Sequence, residues 1–269
     1  MVIFPNCKIN LGLHITGKRP DGFHELETVF YPVQLKDILE VVTSTTQHFQ
    51  STGLDIPGNT ETNLCLKAYH LLKQDFPDLP SVHMHLHKLI PMGAGLGGGS
   101  ADGAFALRLL NEKYKLNITN QQLIEYAAKL GSDCPFFIMN TACYATGRGE
   151  KLNPIQLDLS NYHFVLVNPG IHVNTKWAFE QITPTPSRKN LVSILEQPIE
   201  EWPNHLFNDF EAPISKAYPE IEHIKTLLYQ QGASYAAMSG SGSTVFGIFK
   251  TRPSNNIHSA FNGSVFITA

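Results

Sequence analysis

The chain has 269 residues, 42% of them hydrophobic, with 20 basic against 23 acidic side chains and a formal net charge of -3. That is enough apolar material for one large domain or two ordinary ones, and too little charge of either sign for a protein that coats nucleic acid or rides a membrane surface by bulk electrostatics. Cys7, Cys65, Cys134 and Cys143 form no CxxC pair, and no run approaches the ~20 apolar residues of a membrane span; reduced, packed thiols and a cytoplasmic address are expected, with no secretory leader at the start.

From Lys8 the sequence alternates, Ile9, Leu11, Leu13 and Ile15 on one side and Lys8, Asn10, Gly12 and His14 on the other, which predicts a half-buried strand. Lys8 and Asn10 then share a face about 7 Å apart, two strand rises, so both reach one ligand. Arg19-Pro20-Asp21-Gly22 is a turn by its chemistry and places Phe23 and His24 at the start of a return strand. Residues 60–73, TETNLCLKAYHLLK, bring Leu64, Ala68, Leu71 and Leu72 to helical spacing behind capping residues. SVHMHLHKLI, 81–90, alternates again, with Val82, Met84 and Leu86 against His83, His85 and His87, and Pro91 ends it.

PMGAGLGGGSADGA, 91–104, follows, with five glycines between Gly93 and Gly99, and runs into a helix, ADGAFALRLLNEKY. A second helix, NQQLIEYAAKL, stops at Gly131, and Asp133 opens a short element containing Pro135. The quieter stretch 147–161 marks a soft boundary. Beyond it come a strand in FVLVNPG, a helix around 215–231, a small-residue turn, MSGSGST at 238–244, and a strand, VFGIF. Strands and helices mix without steady βαβ alternation, so the expected class is α+β in two layered domains, 1–153 and 154–269.

Glycine inside an element is entropically costly, so a run of five implies unusual dihedrals or close approach of a guest to the amides. Gly93-x-Gly95-x-x-Gly98 formally matches a dinucleotide fingerprint, but no acidic residue stands near 117–122 to serve a ribose. A Walker loop fails too, because Gly99 occupies the lysine position before Ser100. The physics that remains is a chain of amides without Cβ entering a helix N-terminus, which suits a phosphate; the bland alternative is a structural turn. Asp133 reads equally as an N-cap, Lys8 as a solvated edge charge, and the three histidines as a solvated strand face with zinc or copper as the rival.

PMGAGLGGGSADGA resembles the second signature of the GHMP kinases and MSGSGST the third, while KINLGLHITGKRPDGFHELETVF and LGSDCPFF (130–137) add two further motifs in register. The resemblance implies a two-domain GHMP kinase fold, with an N-terminal ATP-binding, catalytic domain like the second domain of ribosomal protein S5 and a ferredoxin-like, substrate-binding C-terminal domain. It implies transfer of the γ-phosphate of ATP, with Mg2+, to the 2-hydroxyl of 4-diphosphocytidyl-2-C-methyl-D-erythritol in non-mevalonate isoprenoid biosynthesis; the alternatives are another GHMP small-molecule kinase or a non-catalytic nucleotide-binding protein. Neither nucleic acid nor membrane is an implied partner. Asp133 is implied as the base and Lys8 as the cation that keeps it ionised. ATP is implied at Pro91, Met92, Gly93, Ala94, Gly95, Leu96, Gly97, Gly98, Gly99, Ser100, Ala101 and Asn63. Substrate is implied at Asn10, Phe23, His24, Gly240 and Ser241, with no protein-held metal. Phe23 stands where the family usually has tyrosine, which keeps a stacking face. Asp102 stands where asparagine is common, and a carboxylate close to phosphates is repulsive unless magnesium intervenes.

Overall fold

A computed structural model of the chain describes residues 1–185 and 189–268. In chain order the strands are β1 (Val2–Ile3), β2 (Asn6–Lys18), β3 (His24–Lys36), β4 (Ile38–Thr43), β5 (His48–Gly53), β6 (Val82–Lys88), β7 (Cys143–Thr146), β8 (Lys151–Pro154), β9 (His163–Asn168), β10 (Tyr235–Met238), β11 (Val245–Phe249) and β12 (Ser264–Thr268). The helices are α1 (Leu64–Asp75), α2 (Gly98–Tyr114), α3 (Asn120–Leu130), α4 (Cys134–Met139), α5 (Thr175–Glu180), α6 (Leu191–Leu195), α7 (Trp202–His205), α8 (Glu211–Ala217) and α9 (Glu220–Gln230). Compactness divides the chain otherwise than at 153/154. One unit comprises Met1–Cys7, Leu35–Met92 and Gly97–Thr141; the other comprises Lys8–Gln34, Gly93–Leu96 and everything from Ala142 on.

The first unit is a four-stranded sheet in the order β1-β4-β6-β5 with helices on one face. Strands β5 and β6 are parallel, and α1 supplies the crossover that parallel neighbours require. Val82, Met84 and Leu86 of β6 are fully buried, as the alternation predicts. On the opposite face His83, His85 and His87 line up, with Thr52 Oγ1 bonded to His85 Nε2 at 2.8 Å and to His87 Nδ1 at 2.9 Å, and with the His48 ring edge-on to His83. Helices α1 and α2 cross closely: a Cβ on Gly103 would lie 2.7 Å from Leu64 Cβ. α1 begins at Leu64 and not at Thr60, because Asn63 is its cap, its Oδ1 accepting the Cys65 N–H at 2.9 Å, while Thr60–Thr62 form a 3-10 turn. α3 carries the capping box of Thr119 and Gln122 and ends at Gly131.

The second unit holds two antiparallel sheets, β2-β3-β7-β8 and β10-β11-β9-β12. Its core joins Leu13 and Ile15 to Val165, Val167, Ile221, Ile224, Leu228 and Val245. Two expectations need correcting here. β2 is buried on both faces from Asn6 to Ile15 instead of half-buried, because its polar residues find internal partners. The helix expected over 215–231 is two helices, since the ring of Pro219 disfavours a helical Tyr218 and α8 stops at Ala217. All four cysteines are buried, and burial pushes the Cys134 thiol up to about 12 and Cys143 to about 11.

Candidate active site

The glycine run resolves into glycines with different jobs. Gly93, Gly95 and Gly97 have φ of 62, 79 and 69°, the left-handed region, while Ala94 and Leu96 between them do not. A backbone that alternates in this way turns successive N–H groups toward one side, the geometry of an anion-binding nest. The carbonyls are taken by the protein: Ala94 O accepts the Thr244 N–H at 3.2 Å and Leu96 O accepts the Lys8 N–H at 3.0 Å. Gly95 O accepts Lys8 Nζ at 3.1 Å and Ser239 Oγ at 2.9 Å. Among the described residues, the N–H groups of Gly93, Gly95, Leu96 and Gly97 have no main-chain acceptor, so these donors are what the segment offers. Gly97 then caps α2 without a side chain, and the first helical amides add to the same positive end.

Within the second unit, three segments far apart in sequence meet at Gly95. Lys8 Nζ, buried, donates to Asn10 Oδ1 at 2.6 Å and lies 5.0 Å from the centre of the Phe30 ring. Asn10 Nδ2 donates to Thr28 Oγ1 at 2.9 Å, and its main-chain N–H donates to Ser239 Oγ at 3.3 Å. The small-residue turn fits against the loop so closely that a Cβ on Gly95 would sit 2.0 Å from Ser239 O, and one on Gly240 3.2 Å from the Gly95 Cα. Asn208 ties this turn down, donating to Met238 O and Gly240 O at 2.8 Å each. Ser241 bonds Thr175 Oγ1 at 3.2 Å.

Within the first unit, the head of α4 packs on the head of α2. Ser100 lies near enough to the buried Cys134 thiol to moderate its raised pKa, and Asp133 is the residue just before Cys134. Asp133 occupies the N-cap position of α4, but its side chain makes no capping hydrogen bond; the reading of this aspartate as a cap is therefore overturned. Met92 Cε lies 3.3 Å from where a Gly99 Cβ would be, and Ala101 is buried in the second turn's packing. Asn63 is engaged as the cap of α1.

The turn 19–22 closes as its chemistry predicts, with Arg19 paired to Asp21 and Glu25. Phe23 is exposed, with the Arg148 guanidinium 4.9 Å from its ring centre. The His24 imidazole is stacked on Phe179, centroids 4.9 Å apart and planes 18° apart; burial, then the Lys18 charge, holds its pKa below the usual value. Phe179, Arg148, Ser239 and Asn208 are site-forming residues that the sequence reading missed. Only Ser239, inside the quoted turn, carried a local signal.

Comparison with known proteins bears on this arrangement. The GHMP kinases N terminal domain family matches residues 63–141, and the GHMP kinases C terminal family matches 190–266. A 4-diphosphocytidyl-2-C-methyl-D-erythritol kinase of Bacteroides fragilis is 54% identical over 253 residues, 93% of this chain and 92% of that one. The kinase of the same name from Cytophaga hutchinsonii is 49% identical over 94% of both. A crystal structure of 4-(cytidine 5'-diphospho)-2C-methyl-D-erythritol kinase superposes with a TM-score of 0.83 at 29% identity, covering 100% of this chain and 98% of that one. Methanococcus jannaschii mevalonate kinase, 13% identical with a TM-score of 0.72 over 99% of this chain and 96% of that one, shares the fold.

Proposed function

Because this chain belongs to the GHMP kinase family, we propose that it transfers the γ-phosphoryl group of ATP to the 2-hydroxyl of 4-diphosphocytidyl-2-C-methyl-D-erythritol. The observation that carries the substrate is the 54% identity over nearly the whole chain to a kinase named for it. The geometry supports the reaction class. The donor-rich segment 93–97 and the head of α2 offer amides to a triphosphate, and the surroundings of Gly95 leave no room for a side chain.

In the proposed reaction a bond forms between the alcohol oxygen and the γ-phosphorus, the bond to the β-phosphate oxygen breaks, and ADP departs. Asp133 takes the hydroxyl proton, and the Lys8 ammonium offsets negative charge that develops on the transferring group. Lys8 is held ready by Asn10 and Gly95, so little ordering entropy is left to lose at the transition state. Residues 91–101 together with Asn63 are assigned to ATP, and Asn10, Gly240 and Ser241 to the substrate. Phe23 is assigned as the platform for the cytosine and His24 as its hydrogen-bonding partner. Magnesium, when bound, neutralises charge on the β- and γ-phosphate oxygens. Among the described residues no three His, Cys, Asp or Glu side chains converge on one point; in this proposal the ion arrives on the nucleotide, and Ser100 at the head of α2 would be the hydroxyl offered to it.

The division of labour belongs to the proposal: nucleotide work in 1–153, around the N-terminal family match, and substrate work in 154–269, around the C-terminal match. A cytoplasmic location is likewise proposed, supported by the buried, free thiols of Cys65, Cys134 and Cys143. The test is ADP release from ATP with the cytidine-diphosphate substrate beside mevalonate, homoserine and galactose. Turnover with the first alone is expected. Turnover with another alcohol, or with none, refutes the assignment.

A further inference from the structure

The charged cluster buried deepest in the first unit has no part in the chemistry above. Asp37 and Lys88 are inaccessible to solvent and Asp102 is nearly so. Lys88, the last residue of β6, donates through Nζ to Asp37 and to Asp102 Oδ2, the latter at 2.7 Å. The other Asp37 oxygen accepts the main-chain N–H groups of Leu89 at 2.6 Å and Ile90 at 2.8 Å. One carboxylate thus fixes residues 88–90, which lead into the glycine run, while the lysine it holds reaches across to the second turn of α2, which leads out of it. The cluster also dictates a residue within the run: a Cβ on Gly98 would fall 2.8 Å from Ile90 Cγ2 and 3.0 Å from Lys88 Nζ. Packing against Ile90 and Lys88 is thus by itself enough to require glycine at 98.

Stability alone is a poor reason to keep such a group. Desolvating buried ions costs about as much as their attraction returns, and apolar residues of similar volume commonly do as well or better. What an apolar replacement does not reproduce is direction: a lysine between two carboxylates sets both the spacing and the rotation of the stems. We infer that Asp37, Lys88 and Asp102 form a clamp that holds the two stems of the 91–97 loop in nucleotide-binding register, making them positioning residues for the phosphate donor. The inference rests on the kinase reading for its ligand, but the clamp itself is a statement about the loop. Asp102 does not face the phosphates as a bare carboxylate. Burial pushes its carboxyl up to about 8 against the pull of Lys88, so near neutral pH the Asp102 carboxyl is held toward its neutral form.

The experiment compares the wild type with Lys88→Met/Asp102→Leu, which removes the bridge without stranding a charge on α2, and with Asp102→Asn, which keeps an acceptor for Lys88. Three readouts are taken: amide hydrogen exchange, ATP binding, and the KM values for both substrates. The double variant is expected to exchange amides 93–99 about tenfold faster than wild type while α3 and β4 stay protected. Its KM for ATP should rise about tenfold or more, with the KM for the second substrate unchanged. Asp102→Asn should match wild type in both. Should the double variant fail to fold, Asp37→Asn takes its place, with the same loop-confined exchange expected. Unchanged loop exchange in a folded variant overturns the clamp. Faster exchange with an unchanged KM for ATP overturns its link to nucleotide binding. Failure of the kinase reading would show separately, as no ATP turnover by the wild type.

Discussion

Gly95→Ala tests how tightly the loop and the small-residue turn are fitted together. The methyl group would lie 2.0 Å from Ser239 O and 2.9 Å from its carbonyl carbon, so the turn must retreat by about 1 Å to reach even the closest separations that side chains tolerate. That turn is not free to do so: Asn208 holds it at Met238 and Gly240, and Ser239 is itself bonded to Gly95 O. At φ 79° the left-handed backbone adds about 1–2 kcal/mol, and forcing the packed contact about 1–3 kcal/mol more. A loss of about 2–5 kcal/mol corresponds to roughly 4–20 °C in melting temperature for a domain of this size. Gly232→Ala is the control. Its φ of 94° carries similar strain, but nothing lies within 4 Å of the added methyl, so about 1–2 kcal/mol is expected and normal kinetics. The measurement is thermal unfolding of both variants with ATP KM determined alongside. If Gly95→Ala melts no lower than Gly232→Ala and binds ATP normally, the close fit described for the loop is wrong.

Asp133→Asn is expected to lower kcat by roughly 10²–10⁴ with ATP affinity nearly intact, as read by steady-state kinetics, and Lys8→Ala to behave similarly; full turnover in either removes that residue from the mechanism. For Phe23→Ala the loss should fall mainly on the KM of the cytidine substrate, and a pure kcat effect would count against a base platform. Asn208→Ala removes two donors from buried carbonyls and should cost about 1–3 kcal/mol for each acceptor left unpaired, seen as a lower urea midpoint. Asp102 binds its proton in the folded state up to about pH 8 but in the unfolded chain only below about pH 4. Stability should therefore fall as pH rises between those values. Lys88, Asp37 and Cys65 of α1 face the same carboxyl, and Asp102→Asn should flatten this slope in melting curves from pH 5 to 8.

Local pattern made some of this legible and long-range pairing made the rest invisible. Period-two spacing set Lys8 and Asn10 on one face, and they meet at 2.6 Å. The same pattern implied half-burial, because nothing near residue 10 announces Ser239, 229 positions away. Glycine chemistry announced a loop that needs positive φ, but it did not say that Ile90 and Lys88 crowd Gly98. The lysine looked like the end of a strand, and Asp102 looked like a charge facing phosphates until its partner 14 residues back was seen. Phe179 sits in an ordinary-looking helical segment, and only the fold brings it onto His24. The break at Pro219 was written in the sequence, since the residue before a proline avoids helix. The aspartate at 133 illustrates the reverse case: position alone argued for a cap, and the structure withholds the capping bond.

The interleaving of the two units limits how the gene can be taken apart. The polypeptide passes from one unit to the other at 7/8, 34/35, 92/93, 96/97 and 141/142, so no single cut separates them. Splitting the protein, expressing a fragment or transplanting one half onto a relative would each leave both halves incomplete. Two of those passages bracket Gly93–Leu96, so four residues of the glycine loop belong by packing to a body different from the segments on either side. Insertions or tags meant to spare activity belong at open turns such as Gly170, after β9, or Gly232, after α9, where an added Cβ would meet no atom within 4 Å.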